Sequence, residues 1–431
     1  MATNYSSERE IAKWHPARQA PGASPSFGRF FTGDSLMRRL VFITDIVTPY
    51  TVAVMSELAE FVKLTVIFSD ETSARGCQWA FDDLPFSHVV IGGLAVKRAD
   101  PDVSDYYIDP RIISQLRRLR PDVIISAGWS VPTWYAALYC LVSGSSLVIQ
   151  SDGTPLTERR LNGLQRVSRE VLVPIATGFA ANSSQAAQRF VDLGAEPDAV
   201  YAAPHSTNLK PYLEVGRRRL QDEHTPADQT DCGRLHALTI GRLVTRKGFE
   251  DAIHALAVAR GMDSAIQLSI VGSGPDEERL RQLTRDLEVP VEFLGFIDQP
   301  QLAAVCARAN AFVFPSIEDE FGFVLLEALA AGLACIASPF AGATHDLVVD
   351  GESGLVVDPR DHQRLGEALA ALARDPALRR RLGECAHRVA RERTPRHTAE
   401  GYANAAEATR RRRSSRGRRG WTVGRRVTPR H

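Results

Sequence analysis

Two successive blocks of short apolar runs, each run separated from the next by a longer amphipathic stretch, constrain this chain more than anything else in it. In the first block Leu40–Asp45, Lys63–Phe68, His88–Ile91, Asp122–Ser126, Ser146–Gln150, Gly178–Ala181 and Ala199–Ala203 read as strands, with helices over Thr48–Phe61 and Ile108–Leu119. The second block repeats the pattern at Leu235–Ile240, Ile266–Val271, Val291–Leu294, Ala311–Phe314 and Ala334–Ala337. Runs apolar on both faces, joined by stretches long enough to cross over as helices, imply parallel, doubly wound sheets. A chain of 431 residues has room for two such domains of roughly 150–200 residues each. The expected organisation is a disordered extension over 1–36, a first domain over 37–207, a linker over 208–232 and a second domain over 233–395. The linker assignment rests on a failure of periodicity in a run rich in Arg, Gln, Asp and Pro.

Ligands of such sheets sit at the carboxyl ends of the strands, so the loops after them hold the candidate chemistry. After Ala311–Phe314 come Pro315, then the acids Glu318, Asp319 and Glu320, then Phe321, Gly322 and a helix from Phe323 that carries Glu327 among apolar neighbours. Asp319 and Glu327 therefore bracket a helix N-terminus, where free N–H groups favour a phosphate. After Leu235–Ile240 comes Gly241-Arg242-Leu-Val-Thr-Arg-Lys247-Gly248, an Arg fork and a Lys point charge suited to a pyrophosphate. After Ile266–Val271 comes Gly272-Ser-Gly274-Pro275, whose glycines fit either the close passage of a nucleotide or tight turn geometry alone. In the first domain Asp45, Trp129 and Asp152 fall at strand ends and His205 falls near the linker, which makes them the candidate cleft residues of that domain.

Charge and cysteine content narrow the function classes. The net charge of +1 conceals ten arginines and no acid in 410–431, which leaves 42 basic against 51 acidic residues in the remainder. An acidic body with a basic tail suits contact with an anionic membrane surface better than specific nucleic-acid recognition, and the tail is expected to be disordered. Six scattered cysteines lack CxxC spacing, so neither a zinc site nor a disulfide framework is expected, and a reducing cytoplasm fits. The longest mainly apolar stretch, 131–149, is broken by Ser143-Gly-Ser-Ser and reads as a helix followed by a strand. Cytoplasmic residence, with peripheral contact at the inner membrane face through the tail, is the expectation.

The spacing Asp319-Glu-Phe-Gly-x4-Glu327 resembles the acid-x7-acid signature of retaining glycosyltransferase family 4, glycosyl transferases group 1. That resemblance implies the GT-B fold, an α/β architecture of two Rossmann-like domains with parallel sheets facing each other across a cleft. It also implies an acceptor site on the first domain, a nucleotide-sugar site on the second, and a crossover helix over 396–409 that returns to the first. Carried onto this sequence, it makes Arg242 and Lys247 the diphosphate ligands and Glu327 the ribose ligand. Asp319, or Glu320 beside it, becomes the acid that holds the donor sugar, with Gly272, Gly274, Phe321, Gly322 and Phe323 as donor-side backbone. The implied reaction moves a sugar, with retention, from a UDP- or GDP-linked donor to a hydroxyl of a glycan, lipid-linked or small-molecule acceptor. No cofactor or metal is required by that scheme, and Asp100-Pro-Asp102 reads as a loop and not as a metal motif. A sugar-nucleotide epimerase, a phosphorylase-like enzyme or a non-catalytic nucleotide-sugar binder would use the same cleft.

Overall fold

The computed structural model describes residues 39–70, 83–96, 106–159, 161–221, 234–262 and 265–417. The extension 1–36, Asp100-Pro-Asp102 and the end of the basic tail lie outside the described residues. The first domain runs β1 (Leu40–Ile46), α1 (Pro49–Phe61), β2 (Leu64–Asp70), β3 (Ser87–Val90), β4 (Leu94–Val96), β5 (Tyr106–Ile108), α2 (Arg111–Leu119), β6 (Val123–Ala127), α3 (Val131–Ser143), β7 (Ser146–Ser151), α4 (Gly163–Ile175), β8 (Gly178–Ala181), α5 (Ser184–Asp192) and β9 (Val200–Ala202). Its sheet has the order β3-β2-β1-β6-β7-β8-β9 and is parallel throughout. The short β4/β5 pair stands apart and is antiparallel. Central strands such as β7 are buried along their whole length, which is why they read as unbroken apolar runs.

A helix, α6 (Lys210–Gln221), occupies the first half of the segment expected as a linker, and 222–232 lie outside the described residues. It belongs to the second domain. Tyr212 and Leu209 are buried, and the Arg219 guanidinium donates to the carbonyls of Ala331 (3.1 Å), Cys306 (2.9 Å) and Ala307 (3.3 Å), where two helices end. So few apolar positions, with an arginine stem supplying the rest of the buried face, leave no periodic signal in the sequence.

The second domain continues β10 (Leu235–Ile240), α7 (Phe249–Arg260), β11 (Ile266–Val271), α8 (Glu277–Asp286), β12 (Val291–Gly295), α9 (Gln299–Arg308), β13 (Ala311–Phe314), α10 (Phe323–Ala330), β14 (Ala334–Ala337), α11 (Gly342–Leu347), β15 (Leu355–Val356), α12 (His362–Arg374) and α13 (Pro376–Arg391). Its parallel sheet has the order β12-β11-β10-β13-β14-β15. Neighbours of β10 reverse direction in the sequence at β11 and β13, so β10 and β13 flank the switch point where a ligand crevice opens.

The last helix, α14 (Pro395–Gly417), returns to the first domain. Thr398 donates to the Pro204 carbonyl at 2.6 Å, the Tyr402 hydroxyl accepts from Asn182 at 3.0 Å, and the Tyr402 ring meets Phe42 edge-on at 5.2 Å. Gly401 lies so close to β9 that a Cβ there would stand 2.3 Å from the Ala202 carbonyl oxygen. The helix runs past residue 410, so the expectation of a disordered tail from that point is corrected. Arg410 and Arg411 pair with Glu407, Arg412 with Asp198, and Arg413 donates to the Ser145 carbonyl. Acids supplied by the helix itself and by the first domain order the start of the basic run, a pairing that sequence distance hides.

The Gly401→Ala substitution gives a sign test. On an exposed helix it would stabilise by about 1 kcal/mol. Here the clash with Ala202 reverses the sign, and a net loss of about 2 kcal/mol is expected as a lowered urea midpoint.

Candidate active site

Three strand-end loops of the second domain are bound into one layer. Gly272 N donates to the Gly295 carbonyl at 2.8 Å, Gly241 N to the Val271 carbonyl at 3.0 Å, and Leu243 N to the Ser273 carbonyl at 3.0 Å. A Cβ on Gly272 would stand 1.8 Å from the Gly241 oxygen, and one on Gly274 2.3 Å from the Leu243 oxygen. These glycines thus let the loop after β11 lie on the loop that carries Arg242. The helix after them starts at Glu277, so Pro275 opens a turn before it and not the helix itself.

A second close approach joins β10 to β13. Gly248 has φ +68°, and a Cβ there would stand 2.0 Å from the Pro315 carbonyl oxygen. Around it Ile317 N and Glu318 N donate to the Arg246 carbonyl at 2.9 and 3.3 Å. Lys247 closes a short 3₁₀ turn, Thr245–Lys247, ahead of α7. Its ammonium reaches the buried carboxylate of Asp319, which also lies 3.4 Å from the Ser316 hydroxyl. Gly322, at φ +98° and against the Phe314 ring, then turns the chain into α10. Of the two adjacent acids, Asp319 is the one drawn into the crevice; Glu320 is exposed.

Glu327 lies on α10 and is 1% exposed. Its Oε1 accepts from Gln299 Nε2 at 3.4 Å, whereas Oε2 is buried without a partner. Burial pushes its carboxyl up to about 7, while Gln299 and the nearby Tyr212 act in the opposite direction. The Tyr212 hydroxyl stands close enough to exert that influence but falls short of a formed hydrogen bond, and it too is buried without a partner. Neither Tyr212 nor Gln299 carries a sequence signal for this role.

The first domain meets this layer through an aromatic cluster. Tyr50, at the start of α1, stacks on Phe323 with centroids 4.1 Å apart and planes within 7°. His205 packs against Phe321 and Phe323 at 5.0 Å each, and its Nε2 lies 3.3 Å from Asp152 Oδ2. Asp45, near the end of β1, has its carboxyl pushed up to about 6 by burial. Trp129, half-buried directly after β6, makes its aromatic and cation contacts within the first domain. It packs into the first domain against Phe190, under the Arg169 guanidinium 5.1 Å away, with its indole N–H buried and unpartnered. Arg169 in turn pairs with buried Glu158, whose carboxylate lies against Gly153 in the loop after β7. Two further bridges between the domains were not legible in the sequence: Arg159 to Glu318 at 3.8 Å, and the Asp346 carboxylate accepting from Ser184 N at 3.0 Å, at the start of α5.

Glu327 makes stability depend on pH with a definite sign. Its carboxyl titrates near 7 when folded and near the ordinary 4.5 when unfolded. The folded state therefore holds the extra proton between these values, and the cost of the buried charge is absent below about pH 4.5 and complete above about pH 7. Glu327→Gln is expected to remove that slope, matching the parent near pH 4.5 and exceeding it by up to about 3 kcal/mol at pH 8 in urea denaturation.

Residues 222–389 match the family model described as glycosyl transferases group 1. A D-inositol 3-phosphate glycosyltransferase of Pseudarthrobacter chlorophenolicus is 31% identical over 284 residues, which are 60% of this chain and 65% of that protein. A GDP-mannose-dependent alpha-(1-6)-phosphatidylinositol monomannoside mannosyltransferase of Mycobacterium tuberculosis is 29% identical over 365 residues, 78% of this chain and 89% of that one. The chain thus spans a little under two thirds of the length of the first of these relatives. The Anabaena protein Alr3699/HepE, solved in complex with UDP, superposes with a TM-score of 0.65 at 17% identity over 88% of this chain and 100% of its own. Sucrose-phosphate synthase of Thermosynechococcus elongatus does so with 0.65 at 18% identity over 89% and 100%. The second domain thus resembles the glycosyl transferases group 1 family, and the chain as a whole shows the two-domain GT-B fold.

Proposed function

We propose that the chain is a retaining glycosyltransferase that moves a sugar from a nucleoside-diphosphate sugar to an acceptor hydroxyl. The observation that carries this reading is the Lys247–Asp319 pair at the switch point of the second sheet. It places a phosphate-seeking cation and a sugar-seeking carboxylate on each other in the cleft. A donor would separate them: the diphosphate takes Lys247 and Arg242, and the freed Asp319 carboxylate accepts from hydroxyls of the sugar. Glu327 offers its unpartnered oxygen to the ribose once the Gln299 side chain moves aside.

Breaking the anomeric C–O bond leaves a cationic sugar and a diphosphate with one more negative charge. Arg242, Lys247 and the backbone N–H groups at the start of α10 are fixed where that charge develops, so they stabilise the transition state more than the ground state. The acceptor hydroxyl attacks from the face that the diphosphate leaves, forming the new C–O bond, and its proton passes to the leaving phosphate oxygen. Neither a metal nor another cofactor enters this scheme. Asp152, His205 and Asp45 stand on the first-domain side, where the acceptor would lie. The structural neighbour Alr3699/HepE was solved with UDP, and the mycobacterial relative is named as GDP-mannose-dependent, which supports a UDP- or GDP-linked donor here. The acceptor is a glycan, a lipid-linked molecule or a small molecule that carries a hydroxyl. We place the protein in the cytoplasm, with the basic residues of its carboxyl end contacting the inner membrane face.

A thermal-shift screen of UDP, GDP and their sugars tests the donor. A ligand at a hundred times its dissociation constant adds about 2.7 kcal/mol, a shift of a few degrees that EDTA leaves unchanged. No shift with any nucleotide would overturn the reading. Lys247→Met and Asp319→Asn are expected to lower kcat/KM at least about a hundredfold. Glu320→Gln, altering the exposed acid, is expected to stay within about threefold of the parent.

A further inference from the structure

The first domain carries a surface that the cleft does not use. Helix α3 has no charged residue in its entire length, yet Leu138, Leu141 and Val142 are exposed, Val142 by 83%. Neighbouring α4 exposes Leu164, Val167 and Val171, at i, i+3 and i+7 on one stripe. Scattered exposed leucines are ordinary; two adjacent helices with outward apolar stripes are not. Beside them, at the amino ends of β1, β6 and β7, lies a cavity of about 1010 Å³ whose walls include Leu138 and Val142 from α3. Its other walls carry Arg39, Arg117, Arg120, Arg410 and Arg413 against one carboxylate, Asp122, which pairs with Arg39 at 3.6 Å.

We propose that this face of the first domain docks on an anionic lipid surface, with α3 and α4 seated in the interfacial region and the arginine-walled cavity taking headgroup phosphates. Apolar helix faces rimmed by cations match a bilayer surface, where acyl chains and phosphate lie within one layer, and arginine forks match phosphate. Tyr135 and Tyr139 on α3, each half-buried with a polar tip, suit the same depth. A second copy of this chain fits less well. A two-fold contact through the same face would set these arginines near their own copies. No described helix is long and apolar enough to cross a membrane, so the contact is peripheral. The site lies at the opposite end of the sheet from the cleft and stands independently of the sugar-transfer reading.

Sedimentation of the full chain with vesicles of phosphatidylcholine, alone or with phosphatidylglycerol, tests this. Binding to the anionic vesicles is expected, and Leu141→Asp with Val142→Asp should reduce it more than tenfold. Arg117→Gln with Arg120→Asn should reduce it about 25-fold, Asn being tolerated at the left-handed backbone of residue 120. Thermal midpoints matching the parent, and unchanged nucleotide shifts, separate lost docking from lost fold or lost donor binding. Substituting Gln for Arg418, Arg419, Arg425, Arg426 and Arg430 should leave most of the binding in place. Equal binding by the parent and the α3 variant would overturn the proposal. So would loss of all binding on substitution of those five arginines alone, or a dimer in sedimentation velocity that the α3 variant dissolves.

Discussion

The close approach of Gly248 to the Pro315 carbonyl is the constraint on which the candidate site depends. No side chain fits between the turn that follows β10 and the end of β13, so the two backbones touch and the Arg246 carbonyl can accept from Ile317 and Glu318. With the loops joined in this way, an ammonium from one and a carboxylate from the other have a single place to meet. The glycines after β11 do the same service one strand further out, fixing the loop of Arg242 by contact and not by flexibility. Preorganisation of this kind is what lets fixed charges act on a developing one without first rearranging.

The domains are held by contacts of different chemistry at different places. An aromatic cluster of Tyr50, His205, Phe321 and Phe323 joins them beside the site, a carboxylate on α11 caps a helix of the first domain, and α14 crosses back to pack on the first sheet. The aromatic contacts lie directly over the entrance to α10, so the loop of Asp319 and the first domain share one packed surface. Movement of either domain would therefore be felt at Phe321 and Phe323, whose neighbours are Asp319 and Gly322.

Much of this was legible in the chain itself. The strand runs Gly178–Ala181, Leu235–Ile240, Ile266–Val271, Ala311–Phe314 and Ala334–Ala337 appear in the structure with those bounds, because strands in the middle of a covered sheet are apolar at most of their positions. Helix α6 was not legible, since its buried face is made by Tyr212 and the stem of Arg219 more than by apolar spacing. Nor was the ordering of Arg410–Arg413, whose partners include Glu196, Asp198 and Ser145, more than two hundred residues away. Nor were the contacts of Trp129, whose ring meets Phe190 and lies under the Arg169 guanidinium, both supplied by helices later in the chain.

By itself the sequence determined which residue types stand at strand ends, and hence that an acid pair, two cations and a glycine turn belong to one crevice. That follows because alternation of strand and helix fixes where each loop emerges. Tertiary structure alone decided which of two adjacent acids faces inward, that Glu327 is sealed from solvent with one oxygen unpartnered, and that Gln299 and Tyr212 stand beside it. Those outcomes depend on the packing of elements distant in the chain. Burial and pairing are properties of what surrounds a side chain, and the surroundings are assembled only by the fold.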